Sequence, residues 1–277
     1  MAPSDTQPHG RPSVIVRTRD SAATIGALLA DIESQTVPCE LVVVDSGSTD
    51  ATLDLVDGHC DRLVRLNAAE YTPGRALNAG AAAAGGQIHV ALSSHCRLVR
   101  RDWLERVLEV FADPAVAAAN GADHGPDGAG LDAVFLQTAE VARASPGWGF
   151  SNHASAWRAA VWREHPFLET LPTAEDKEWA LRVLDAGWRI AYAPGLEVEM
   201  THRWRHGTLN FFRRTRQEHA VLGSYVELPP YGVRELLREW WSPARPRRGI
   251  LVERANPRRM LGLLGKYAGH RAARRSR

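Results

Sequence analysis

The chain has 277 residues, 44% of them hydrophobic, and its 34 basic and 32 acidic side chains leave a formal net charge of +2. That length and apolar fraction suit one α/β domain with an appended segment better than two equal domains, and no apolar run approaches the roughly 18 residues of a membrane span. Met1 to Pro12 is polar without a secretory-type stretch, and Cys39, Cys60 and Cys96 lack CxxC spacing, so free thiols in a reducing cytoplasm are expected.

Ser13 to Arg17 predicts a first strand. Asp20 or Ser21 can cap the next helix, where Ile25, Leu28, Leu29 and Ile32 fall at helical spacing. Leu41-Val-Val-Val-Asp45 reads as a buried strand that turns on Gly47 and enters a helix, Thr49 to Val56, capped by Ser48. Strands follow at Leu63 to Leu66, Ile88 to Leu92 and Val116 to Ala119, with helices at Gly74 to Ala84 and around Trp103 to Phe111. Such β-α alternation argues for a mostly parallel sheet covered on both faces. The glycine-rich stretch Asp123 to Gly130 is a loop, followed by an expected helix over Leu131 to Arg143 and a loop over Ser145 to Asn152. A helix from about Glu175 to Ala186, a strand at Ile190 to Ala193 and a helix at Leu209 to Val221 complete the pattern. The expected divisions are a flexible 1–11, two halves of one domain at 12–122 and 123–225, and a helical basic extension 226–277.

The chemistry starts at Asp45. Ligands of open α/β sheets gather at the carboxyl ends of strands, and a carboxylate there can accept hydrogen bonds from a base or ribose. An alternative is a turn-forming Asp that bonds its own backbone. From Trp240 onward, eleven Lys and Arg residues face one acid, Glu253. Such a tail can touch an anionic membrane surface; no nucleic-acid partner is expected.

Four segments occur in one order: Val-Ile-Val-Arg-Thr-Arg-Asp (14–20), Val-Asp-Ser-Gly-Ser-Thr-Asp (44–50), Gly-Arg-Ala-Leu-Asn-Ala-Gly (74–80) and Glu-Asp-Lys-Glu-Trp-Ala-Leu-Arg (175–182). With Ser151-Asn152 and His202, they resemble the family 2 glycosyltransferases, especially the rhamnosyltransferase-like branch, over roughly residues 12 to 220. The resemblance implies a GT-A-type, Rossmann-like sheet flanked by helices. It also implies inverting transfer of a sugar from a nucleoside diphosphate donor to a hydroxyl acceptor: a glycan, a lipid-linked glycan or a small molecule. Arg17, Thr18, Asp45 and Ser46 would line the base and ribose, Arg75 would approach the nucleotide, and Asn78 would support that turn. Asp176 would be the general base, with Glu175 beside it. Trp148, Asn152, Trp179 and Arg182 would border the acceptor.

The pattern departs from the family at Ser93-Ser94-His95, where an Asp-x-Asp is usual. One reading is a divalent metal held by His95, His202 and diphosphate oxygens; two imidazoles suit Mn better than Mg. The other is metal-independent transfer, with His95, Arg97 and Arg203 facing the diphosphate beside Ser94. A non-catalytic binding protein that keeps the fold without the metal-binding acid is the competing function. A nucleotidyltransferase would open with a glycine-rich phosphate loop, and residues 14–24 contain no glycine. A location in the cytoplasm, peripheral to the inner face of the membrane, is expected.

Overall fold

The computed structural model describes residues 10–201, 208–241 and 257–275. The chain divides into two compact units, Met1–His202 and Arg203–Arg277. This groups the helix beginning at Thr208 with the C-terminal helices, whereas the sequence pattern counted residues up to 225 with the preceding half.

The first unit is built on an eight-stranded sheet of order β3-β2-β1-β4-β8-β6-β9-β7. The strands are β1 (Ser13–Thr18), β2 (Glu40–Asp45), β3 (Arg62–Arg65), β4 (Ile88–Ser93), β6 (Val116–Gly121), β7 (Phe135–Gln137), β8 (Ala154–Arg158) and β9 (Arg189–Ala193). β1 to β4 pair in parallel, as do β6 and β9. β8 runs antiparallel between β4 and β6, and β7 antiparallel along β9. A small second sheet pairs β5 (Cys96–Arg97) with β10 (Glu199–Met200).

Alternation along β1 sorts the core into two layers. Val14 and Val16 point to one face, against Leu28 and Leu29 of α1 (Ile25–Glu33) and Trp103 and Leu104 of α4 (Trp103–Val110). Val56 of α2 (Thr52–Val56) joins them. Ile15 points to the other face, against Leu77 of α3 (Pro73–Ala83) and Trp179 and Val183 of α7 (Glu175–Asp185). Ala142 of α5 (Ala139–Ala144) and Val161 of α6 (Ala159–Glu164) complete that layer. Gly80 lets α3 lie close on the sheet, since a Cβ there would stand 2.4 Å from Ile15 Cγ2 and 2.9 Å from Val44 Cγ2.

Two expectations are corrected here. Residues 131–143 are not one helix: Phe135–Gln137 pairs with β9, and only Ala139–Ala144 is helical, capped by Thr138. Nor does Ser48 cap a helix from Thr49. That helix starts at Thr52, and Asp50 takes the Thr52 amide at 3.0 Å, because Ser48 is drawn to Asp45 and Asp20.

The second unit contains α8 (Thr208–Tyr225), α9 (Val233–Trp241) and α10 (Pro257–Arg275). Glycines bring α10 close to α8: a Cβ at Gly265 would stand 2.6 Å from the Phe212 carbonyl, and one at Gly269 2.6 Å from that of Arg216. Glu239 of α9 takes Lys266 at 2.9 Å, and Arg259 donates to the Glu239 carbonyl at 2.6 Å.

Candidate active site

Parallel pairing puts the ends of β1, β2 and β4, at Thr18, Asp45 and Ser93, on one rim of the sheet. β8 runs the other way, so it delivers its beginning there, with Ala154 opposite Leu92. The loop before β8 therefore reaches the same rim as the strand ends. Asn120, near the end of β6, holds that loop by donating to the Ser151 and Ala154 carbonyls at 2.9 and 2.6 Å and accepting from the Ser151 amide at 3.2 Å.

The loops after β1 and β2 are stapled together. Asp20, at a φ of 45°, accepts from the Thr49 amide at 2.7 Å and donates its own amide to Ser48 Oγ at 3.0 Å. Asp50 accepts from the Ala22 amide at 3.1 Å, and Ser21 donates its amide to Thr52 Oγ1 at 2.7 Å. Ser21 Oγ also meets Ser94 Oγ at 2.7 Å, tying both loops to β4. Asp45 is buried, and its carboxylate accepts from the Gly47 and Ser48 amides at 3.0 Å and from Ser48 Oγ. The turn-forming role of Asp45 is thus realised; a carboxylate has about four acceptor positions, which leaves room for one further donor.

Arg17 spans the rim. Its Nη2 donates to the Asn152 carbonyl at 2.6 Å. Asn152 accepts from Ser155 Oγ at 3.1 Å and extends Nδ2 toward Glu175 Oε1 at 3.4 Å. This chain connects β1 to the first turn of α7. Ala174, which enters α7, is held at a φ of 59° and ψ of 21°. That left-handed setting is strained for a residue with a Cβ.

The two acids of that turn differ. Glu175 is 6% exposed, and burial, reinforced by the Asp176 charge, raises its carboxyl to about 7. Asp176 is only partly buried and accepts the Lys177 amide at 2.8 Å, while Lys177 Nζ donates to the Gly149 carbonyl at 2.7 Å. Tyr192 is buried and donates to Gln137 Oε1 at 2.8 Å. Burial above all, and the Asp176 charge in addition, push its hydroxyl well above the usual tyrosine range. Trp148 lies on Tyr192 with ring centroids 4.3 Å apart. Asp176 therefore shares its surroundings with the aromatic floor under the 145–152 loop.

A model of the glycosyl transferase family 2 matches residues 13–137. The O-antigen chain rhamnosyltransferase WbaN of Salmonella anatum is 26% identical over 182 residues, 60% of this chain and 58% of that protein. Over residues 13–137 the chain is similar to the family 2 glycosyltransferases. It resembles the rhamnosyltransferase-like branch, although it spans less than two thirds of WbaN. A pre-mycofactocin glycosyltransferase of Mycobacterium tuberculosis H37Rv is 27% identical over 213 residues, 70% of this chain and 43% of that protein. Among solved structures, the mannosyltransferase PcManGT of Pyrobaculum calidifontis, in complex with GDP-Man and Mn2+, superposes with a TM-score of 0.65 at 22% identity, covering 96% of this chain and 86% of that one. Glucosyl-3-phosphoglycerate synthase of Mycobacterium tuberculosis, with Mn2+, UDP and glucosyl-3-phosphoglycerate, gives 0.57 at 20% identity, covering 80% and 82%. The GT-A fold is thereby established.

Within that fold the expected family positions separate. Arg17, Thr18, Asp45, Ser46, Ser94 and Asn152 converge on the rim, with Glu175 and Asp176 reached through Asn152. Ser46 is buried and donates its amide to the Thr18 carbonyl at 3.0 Å. Arg75 pairs with Glu169 at 3.1 Å and Glu70 at 3.3 Å. Asn78 is consumed by the 162–169 segment: it donates to the Phe167 carbonyl and Glu169, and accepts from Trp162 and the Phe167 amide. Asn78 therefore supports α3 and does not face a ligand.

Trp179 does not border an acceptor. It is fully buried, donates to the His165 carbonyl at 2.6 Å and packs against Phe150 and Phe167. Arg182 holds Glu178 at 2.5 and 3.0 Å and the Pro166 carbonyl at 2.8 Å, so its fork is occupied structurally. Arg97 likewise grips Asp31 through two bonds, at 2.6 and 2.9 Å, and is not poised for a diphosphate. Helical position alone did not reveal these commitments. The pattern also passed over Asn120, Gln137 and Tyr192; the one signal for Asn120 was a polar residue in an otherwise apolar strand.

His95 stands just past β4, and its carbonyl accepts from Thr201 at 3.0 Å through the amide and 2.9 Å through the hydroxyl. The expected partner His202 and Arg203 lie outside the described residues. Among the described residues, no group of three or more His, Cys, Asp and Glu side chains gathers as a metal site. The donors seen here, an imidazole preceded by two serines, do not by themselves make a carboxylate-lined divalent site.

Proposed function

We propose that this chain transfers a sugar, with inversion, from a nucleoside diphosphate sugar to an acceptor hydroxyl, with Asp176 as the general base. The observation that carries this reading is the Arg17–Asn152–Glu175 chain, which draws the acidic start of α7 onto the rim where β1, β2 and β4 end. Of the two adjacent acids, Asp176 is the accessible one, while Glu175 is buried with a raised pKa. A general base must be within reach of the hydroxyl it serves; Asp176, the more accessible acid, suits that role, and Glu175 supports it from behind.

The acceptor oxygen forms its bond to the anomeric carbon as its proton passes to the Asp176 carboxylate. The bond from that carbon to the β-phosphate oxygen breaks on the opposite side, and the electron pair leaves with the nucleoside diphosphate. Thr18 Oγ1 and Arg17 Nε are buried with no hydrogen-bond partner among the described residues. Buried polar groups are rarely left so, and these two suit a polar nucleotide at the ends of β1 and β2. Trp148 and the 149–152 loop would border the acceptor. A glycan, a lipid-linked glycan or a small-molecule hydroxyl fits this scheme, and a lipid-linked one requires the enzyme to work at a membrane face.

A divalent metal, when bound, would neutralise the leaving diphosphate; Mn is favoured over Mg because His95 offers nitrogen. No step above depends on it.

Asp176→Asn tests the assignment. Removing only the proton acceptor should lower kcat on the order of a hundredfold to ten-thousandfold while leaving donor affinity close to that of the parent. A near-native kcat would show that another group takes the proton.

A further inference from the structure

One face of α9 exposes apolar residues in a row. Val233, Leu237 and Trp241 are 58%, 41% and 60% exposed. Their spacing of four places them in one stripe along the helix. Arg234 and Arg238 are exposed immediately beside it. Of the two acids of α9, Glu235 also feels the charges of Arg234 and Arg238, and Glu239 is turned to the neighbouring helix. Glu235 accepts the Gly232 amide at 2.8 Å at the start of its own helix, and Glu239 is held by Lys266 at 2.9 and 3.0 Å and by the Tyr231 hydroxyl. The helix therefore offers solvent a narrow apolar stripe with a parallel row of guanidinium groups, ending in a tryptophan.

We infer that α9 docks on an anionic lipid surface. Val233, Leu237 and Trp241 would enter the headgroup boundary, and Arg234 and Arg238 would lie among the phosphates. Charge complementarity selects this occupant: an apolar row flanked by cations is the pattern of a helix lying in the plane of a bilayer interface. Indole rings favour that depth, because one edge is apolar and the other carries an N–H. The chain continues the charge beyond α9, with Arg245, Arg247 and Arg248 close in sequence. Among the described residues, no helix is long and apolar enough to cross a membrane, so the contact would be peripheral. The inference stands on the second unit alone and does not rest on the transferase reading.

Flotation of the full-length protein tests it, using phosphatidylcholine vesicles with and without phosphatidylglycerol. Binding should require phosphatidylglycerol and fall as salt is raised. Arg234→Glu with Arg238→Glu should weaken binding by at least about thirtyfold, from the usual contribution of two basic residues near such a surface. Leu237→Gln and Trp241→Ser should weaken it even at low salt. Circular dichroism and nucleotide-induced thermal shifts of these variants should match the parent, which separates lost docking from lost folding. Failure to float with phosphatidylglycerol, or flotation indifferent to both sets of substitutions, would overturn the inference. So would a dimer in light scattering that Leu237→Gln dissolves, since the face would then belong to a second copy.

Discussion

Glu175 lies behind Asp176 with its carboxyl raised to about 7 by burial and by the neighbouring charge. Its ordinary value is 4.5, so between pH 4.5 and 7 the folded chain holds a proton that the unfolded chain has released. Stability from this group is therefore fully present below about pH 4.5 and is lost as the pH rises through 7. Glu175→Gln keeps the shape and never ionises. Its melting temperature should match the parent near pH 4, exceed it increasingly toward pH 7, and keep a constant lead above that. Parallel curves for the two proteins from pH 5 to 8 would mean that Glu175 ionises as freely in the fold as in solution. Asp45 shows what a residue type alone can reveal. Its place at a strand end was legible from four apolar residues running into an acid. That its oxygens would be taken by Gly47 and Ser48 was not, because the choice between binding a ligand and holding a turn is made by local geometry.

Strands buried on both faces announce themselves as continuous apolar runs, which is why β1, β2 and β4 were readable to within a residue or two. β8 was not readable, because Ala154-Ser-Ala-Trp-Arg is short, small and half polar. Its strand character comes from pairing with β4 and β6, both distant in sequence. β7 was hidden in the same way, by apolar residues that also fit a helix between Leu131 and Arg143. The fit of α3 on the sheet yields a direct test. Gly80→Val would push a branched side chain into Ile15 and Val44, both fully buried. Overpacking of this kind costs roughly 1–3 kcal/mol, read as a lower midpoint in urea with an unchanged slope. An unchanged midpoint would mean that α3 can slide away from β1 freely. Trp179→Ala, which empties a site between Phe150 and Phe167, should cost about 3–5 kcal/mol. Its urea midpoint should therefore fall further than that of Gly80→Val.

At the level of the whole molecule, a ligand that binds only the folded state raises the melting temperature by mass action. A panel of UDP, GDP, dTDP and CMP, each with and without Mn, should single out one nucleotide. Asp45→Ala should abolish that shift, while Asp176→Asn should preserve it. A shift that Asp45→Ala leaves intact would move the nucleotide away from the ends of β1 and β2. A shift independent of Mn and of EDTA would exclude an exchangeable metal as a requirement for binding.

The antiparallel β8 has one more consequence. It lies beyond the matched family region, which ends at residue 137, yet it stands between β4 and β6. Without it those two strands would face each other across a gap of about 10 Å, two strand spacings and too wide for any amide to bridge. A fragment cut after Gln137 would lose β8 and β9 together, leaving β4 with a raw edge and β6 and β7 with no partner strand, a recipe for sticking to other chains. A piece that keeps the whole row must run at least through Ala193, the end of β9, which joins β6 to the edge strand β7. This keystone strand makes the two halves of the sheet inseparable.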